Sequence, residues 1–326
     1  MTVPKSEYIS EVWKDGLFAG KVVFCTGGNG SICSNQVRAL VHLGANAVIV
    51  GRNVEKTERV AKDIATARAG SKVIGIGGVD VRDLESLQKA IDVCVKELGG
   101  IDFLIAGAAG NFLAPLSQLS SNAFKTVMDI DILGSFNVTK LALPHLVESA
   151  KRHNSSSTLP KTSTSGPGGR IIYVSATMHY TGVPLQTHVT VAKAGIDALS
   201  ANVALEYGPF GVTSNIIAPG PIANTEGMNR LSKRSRSKEP EGAPQAPGIP
   251  VGRWGLVKEI ADATIFLFSD AANYITADNL VVDGGSWRIG AGSPGGDFKY
   301  PDFLLSGEEV TGVGGSKKRK PQDSKI

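Results

Sequence analysis

The sequence predicts an α/β fold: a single doubly wound parallel sheet with helices on both faces. Three observations carry that prediction. Short apolar runs alternate with longer amphipathic stretches along the chain. The runs are continuously apolar, as strands are when both faces of a parallel sheet are covered. The glycine-rich segment TGGNGSIC, residues 26–33, joins the first run to the first helix-like stretch. At 326 residues, 42% of them apolar, the chain is long enough to bury one large core.

Taken in order, the first strand is expected at 21–26, with a helix at 31–43 beyond the glycines. A strand at 47–51 and a helix at 53–68 follow, then a strand at 72–77 and a helix at 83–98. The fourth strand, 101–106, precedes one long helix-like stretch at 122–150. A strand at 170–175, a helix at 187–207, a strand at 212–217, a helix at 257–269 and a strand at 279–282 complete the pattern. Such alternation gives a Rossmann-type sheet, whose ligands sit at the carboxyl ends of the strands. This domain should fill 18–290, after an N-terminal extension at 1–17. Three segments break the pattern: a Ser/Thr/Gly/Pro-rich loop insertion at 151–170, a basic and then proline-rich stretch within 222–250, and a tail at 291–326.

Charged residues make up 20% and the net charge is +4, which disfavours nucleic acid as the main partner. No apolar run approaches membrane-spanning length, and the first residues lack the apolar stretch of a secretory signal. Cys25, Cys33 and Cys94 have no metal-ligand spacing and read as free thiols of a reducing compartment. A soluble intracellular protein without a metal site is expected.

A strand feeding a tight glycine turn and then a helix N-terminus makes an anion site, because backbone N–H groups and the helix dipole point at the phosphates. Gly27, Gly28 and Gly30 supply the flexible backbone, with Asn29, Ser31 and Ile32 completing the turn. The Ser31 hydroxyl is suited to donate to a phosphate oxygen, and Cys33 is compact enough for the helix to pack on the sheet. The end of the second strand holds Arg52, with no carboxylate until Glu55. A cation there suits the 2′-phosphate of NADPH, whereas an acid would suit the free ribose of NADH; the bland alternative is a solvated arginine. Asp80 and Val81 are placed to meet the adenine edge, and Ala106, Gly107 and Ala108 to line the ribose.

The turn, DV at 80–81, AGAAGNF at 106–112, Ser175, Lys193, APGPI at 218–222 and VVDGG at 281–285 together resemble the short-chain dehydrogenase/reductase family, from about residue 18 to 290. The resemblance implies further cofactor contacts from Pro219, Gly220 and Ile222, and a homo-oligomer, dimer or tetramer. That family usually places a proton-donating tyrosine four residues before the active-site lysine. Here the position holds Val189, which cannot transfer a proton.

One subgroup, the peroxisomal 2,4-dienoyl-CoA reductases, also lacks that tyrosine. The chain looks like it at AAGNFLAP (108–115), NAFKTVMDID (122–131), SAT (175–177) and the Gln186…His188…Lys193 segment. The resemblance implies that Asp131 and Lys193 position a water that protonates carbon, with Lys193 also holding the nicotinamide ribose. The substrate would be a 2,4-dienoyl-CoA, taking hydride at C5 and a proton at C2 to leave a 3-enoyl-CoA. Asp129 and Asp131 point to largely different faces of a helix, and the resemblance selects Asp131. Asn111 and Phe112 are expected to line the acyl pocket, Ser175 to donate near the thioester, and Arg230 to meet coenzyme A phosphates. The last residues, Ser324-Lys325-Ile326, are similar to the Ser-Lys-Leu peroxisomal address and imply an import receptor as partner. Two other functions stay open: a carbonyl reductase recruiting His179 or Tyr180 as acid, and a non-catalytic NADP-binding protein, motivated by Val189, Ser31 and Cys33.

Overall fold

The computed structural model describes residues 3–154, 167–227 and 249–289. One sheet of seven parallel strands forms the centre: β1 (Val22–Thr26), β2 (Asn46–Val50), β3 (Val73–Ile76), β4 (Phe103–Ala106), β5 (Arg170–Val174), β6 (Thr213–Pro219) and β7 (Asn279–Val282). Their order is β3-β2-β1-β4-β5-β6-β7. The chain winds outward from β1 to β3, then returns to β4 beside β1 and winds the other way. Thr26 pairs with Val50 on one side and Ala106 on the other. A crevice opens where the winding reverses.

Period-two alternation decides which face each strand residue serves. Val23 and Cys25 join a core with helices α1 (Ser31–His42) and α2 (Val54–Ala65); Val22 and Phe24 face the opposite core. That second core takes Leu87 and Ile91 from α3 (Leu84–Leu98) and Ile196 and Val203 from α7 (Thr187–Tyr207). Helix α8 (Val257–Phe268) lies on the first face with Ile260, Ile265 and Phe268. Side-chain caps set several helix starts: Asn53 accepts from Lys56 N–H at 2.7 Å, and Asp83 from Glu85 N–H at 3.0 Å.

The stretch expected as one helix at 122–150 is not continuous. It divides into α4 (Ser121–Met128), a π-helical turn (Asp129–Leu133) and α5 (Gly134–His153). The two acids of this turn face different ways. Asp131 becomes fully buried, whereas Asp129 pairs on the surface with Lys125 at 2.5 Å. Gly134 lets the helix press on the segment between β3 and α3, since a Cβ there would sit 2.4 Å from Val81 Cγ2.

The N-terminal segment is tied into the core rather than standing off it. Tyr8 and Ile9 are buried, and Asp262 of α8 accepts from Ser10 N–H (3.1 Å), Ser10 Oγ (2.5 Å) and Trp13 Nε1 (2.7 Å). Most of the 151–170 loop and of the 222–250 stretch, Arg230 included, lies outside the described residues, as does the C-terminal tail with Ser324-Lys325-Ile326. Among the described residues no helix is long and apolar enough to cross a membrane, and no acid, histidine and cysteine cluster could hold a metal. The three cysteines are buried free thiols.

Candidate active site

The carboxyl ends of the central strands open onto a cleft of about 540 Å³. Gly27, Gly30, Ser31 and Ile32 line one end of it. Gly27 has φ +66°, and a Cβ on it would lie 2.7 Å from Gly107 O and 2.9 Å from Ala108 N. Only glycine lets this turn meet the β4 loop. Thr26 Oγ1 then fixes the contact, accepting from Gly107 N–H (3.2 Å) and Ala108 N–H (3.3 Å). Gly28 packs on Ile49, where a Cβ would be 2.6 Å from the isoleucine Cβ. The Asn29 amide turns away to donate to Thr57 Oγ1 at 2.8 Å.

Cys33 departs from the usual glycine of such a turn, and Gly107 accommodates it. The Cys33 Sγ stands 2.2 Å from where a Gly107 Cβ would be. Ser31 Oγ accepts from Glu226 N–H at 3.2 Å, which leaves its proton available to a phosphate. The turn, the open first turn of α1 and the exposed Arg52 beyond β2 therefore suit a nicotinamide dinucleotide. Pro219 at the end of β6, and Gly220 and Ile222 beyond it, line the cleft farther along.

Asp80 and Val81, expected at the adenine edge, are engaged with neighbouring residues. The Asp80 carboxylate is engaged by Arg82 Nη2 at 2.5 Å, and that hydrogen bond holds its pKa down to about 2. Val81 is buried beneath Gly134, and its carbonyl accepts from Asn137 Nδ2 at 3.0 Å. Neither lines the cleft; Ala106 is buried in β4, and Ala108 is half-buried beside it.

The other end of the cleft is organised by α7, whose residues 189, 193 and 197 lie one turn apart on one face. Lys193 Nζ donates to Val174 O at 3.0 Å and lies 3.3 Å from Asp131 Oδ2. Asp131 Oδ1 accepts from Gly110 N–H at 2.7 Å. Burial pushes the Asp131 carboxyl above its ordinary pKa; the Lys193 charge and the Gly110 N–H oppose that shift without cancelling it. Val189 lines the cleft beside Lys193 and packs on Val127 and Ala192.

Asn111 and Gln186 also line the cleft, and Gln186 Nε2 donates to Asn111 Oδ1 at 3.2 Å. That bond occupies the Asn111 oxygen and leaves its N–H donors for a ligand. Phe112 takes another place than the one expected. It is outside the cleft lining, with its ring stacked on His188 at 4.0 Å and its carbonyl accepting from His188 Nε2 at 3.1 Å. Burial pushes the His188 pKa down, which favours the neutral ring.

Ser175 lines the cleft. Its Oγ donates to Asp197 Oδ1 at 2.6 Å. Asp197 Oδ2 gathers His179 Nε2 (2.7 Å), Asn279 Nδ2 (2.8 Å) and Tyr180 OH (3.4 Å). Burial pushes the Tyr180 phenol up to about 12. The two candidate acids of a carbonyl reductase thus face Asp197 and not the cleft. Sequence reasoning missed Asp197, although its spacing from Lys193 was a usable signal. It also missed Thr26 as the clamp on the β4 loop.

A family model described as enoyl-(acyl carrier protein) reductase matches residues 27–286. The chain is 48% identical over 294 residues to the peroxisomal 2,4-dienoyl-CoA reductase, (3E)-enoyl-CoA-producing, of Saccharomyces cerevisiae, covering 90% of this chain and 92% of that one. The enzyme of the same name from Danio rerio is 39% identical, with 86% of each chain covered. A solved short chain dehydrogenase from Bacillus anthracis superimposes with a TM-score of 0.67 at 30% identity, over 82% of this chain and 96% of that one.

Proposed function

The chain belongs to the short-chain dehydrogenase/reductase family, and from that premise we propose that it reduces 2,4-dienoyl-CoA thioesters to 3-enoyl-CoA with NADPH. One observation carries the reading: a buried Asp131–Lys193 pair stands beside Val189, the position where this family usually keeps its phenolic acid. A site built this way has lost the means to protonate a carbonyl oxygen and kept a means to protonate carbon through water.

The cofactor, when bound, supplies the hydride for C5 of the diene. Gly27, Gly30 and Ser31 hold its pyrophosphate, and the Arg52 guanidinium pairs with the 2′-phosphate, which is what selects NADPH. Lys193 keeps one proton on Val174 O and has others for the nicotinamide ribose and for a water. Asp131 Oδ2 accepts from that water, with Oδ1 already held by Gly110 N–H. The water gives its proton to C2, and the Asp131–Lys193 pair restores it. Asn111, oriented by Gln186, donates to the thioester oxygen as negative charge gathers there. As a carboxylate, Asp131 orients the water and the Lys193 ammonium, and Lys193 returns the proton that the water gives up.

The relatives' names support a peroxisomal setting, to which Ser324-Lys325-Ile326 would direct the chain. We further propose a homo-oligomer and a coenzyme A contact from Arg230. The test is turnover of 2,4-hexadienoyl-CoA with NADPH, run once in D2O. The expected product is 3-hexenoyl-CoA carrying solvent deuterium at C2. NADPH binding without turnover overturns the reading and favours the non-catalytic protein; deuterium at another carbon overturns the proton route.

A further inference from the structure

The short helix α6 (Met178–Thr181) has only four residues, too few to hold itself. Asp197 holds it, through His179 Nε2 and Tyr180 OH. With those two side chains turned to Asp197, Met178 and Thr181, one turn apart, line the cleft together with Val183 and Trp287. Val183 is 37% exposed, so this apolar surface is not spent on the core.

Trp287 is fixed from several sides. Asp283 Oδ2 accepts its backbone N–H at 2.8 Å, and Asp283 Oδ1 accepts that of Gly285 at 2.8 Å. The indole meets the Tyr180 ring at 5.1 Å, and the Arg288 guanidinium lies 4.0 Å over it. His179 Nε2 and Tyr180 OH are turned to Asp197, so α6 shows the cleft the Met178 side chain and the Thr181 hydroxyl, and beside Val183 and the Trp287 ring the indole N–H is the wall's other polar group. A surface of that kind suits a hydrocarbon and penalises amides or phosphates.

Position across the sheet names the hydrocarbon. Arg52 follows β2, on one side of β1; Asn111 follows β4, Ser175 follows β5, and Trp287 follows β7 at the far edge. With the thioester at Asn111 and C2 near Lys193, the substrate continues past Ser175 toward α6 and Trp287. We propose that Trp287, braced by the Asp197-held α6, is the wall against which the alkyl tail of the acyl chain lies, and that it sets chain-length preference. The identity of the tail rests on the dienoyl-CoA reading; the wall itself does not depend on turnover.

Calorimetric titration of the NADP-loaded protein with hexanoyl-CoA and decanoyl-CoA reads the wall without chemistry. Four extra methylenes, half-buried, give about a tenfold tighter Kd for decanoyl-CoA in wild type. In Trp287→Ala that ratio falls to about two, and in Trp287→Phe, which restores the ring contact with Tyr180, most of it returns. Equal affinities in wild type, or a ratio that survives Trp287→Ala, overturn the proposal. Equal loss for both ligands does so too, since it places Trp287 on the coenzyme A portion. Should Trp287→Ala fail to fold, Met178→Ala combined with Val183→Ala reads the same wall, with the same outcomes. Chain-length-dependent binding with no turnover of 2,4-decadienoyl-CoA would overturn the enzymatic reading while leaving the wall intact.

Discussion

Asp131→Asn keeps the size of the side chain and its hydrogen bond from Gly110 N–H, but removes the charge 3.3 Å from Lys193 Nζ. At an effective dielectric of about 20, that attraction has a gross value of about 5 kcal/mol, enough to fix the orientation of the ammonium. Its loss releases Lys193 and removes the charged acceptor that orients the water. Positioned proton transfer typically contributes about 10²–10⁴-fold, so kcat for 2,4-hexadienoyl-CoA should fall by about that factor. NADPH binding should persist, because Asp131 lies apart from the phosphate turn. The pH profile is the sharper readout. Burial raises the Asp131 pKa, so the ionised carboxylate is lost as pH falls through a value above the ordinary carboxylate range. Wild-type kcat should therefore show an acid limb there, absent from the asparagine variant. Nicotinamide absorbance followed from acid to neutral pH measures both quantities. A variant with kcat within about threefold of wild type, or with its acid limb intact, refutes the reasoning.

Arg52→Gln should raise the KM for NADPH by about 10–100-fold, the value of a charge-assisted phosphate contact, and leave the KM for NADH nearly unchanged. A parallel rise for both cofactors would show that Arg52 does not read the 2′-phosphate. Gly27→Ala must place a Cβ 2.7 Å from Gly107 O at φ +66°, so NADPH affinity and melting temperature should both drop, the latter reflecting about 1–3 kcal/mol of strain. Lys21, fully buried, has its pKa pushed down to about 8 by burial, while Asp102 pulls it upward. The unfolded chain keeps this proton up to the ordinary value of 10.5, so between about 8 and that value the unfolded state binds more protons. Stability should therefore rise with pH in that window, by at most about 1.4 kcal/mol per pH unit from this group. Lys21→Met should flatten the slope of melting temperature against pH; an unchanged slope assigns it to other groups.

The strand and helix order and the glycine turn after β1 were legible in the sequence because each rests on local pattern: continuous apolar runs and a run of glycines before a helix. The limits of that legibility are equally physical. The π-helical turn at Asp129–Leu133 has no compositional mark, and periodicity read it as plain helix. Asp131 lies buried within that turn, with Asp129 beside it on the surface. Cys33 looked like a defect in the turn until Gly107, 74 residues later, proved to leave room for its sulfur.

What the sequence by itself determined was the architecture, the glycine turn at one end of the cleft and the absence of a phenol at Val189. Only the tertiary structure decided where protons and side chains are committed: Ser175, His179 and Tyr180 to Asp197, Phe112 to His188, Asp80 to Arg82. A hydrogen bond depends on which distant groups the fold brings within about 3 Å, and no local pattern encodes that distance.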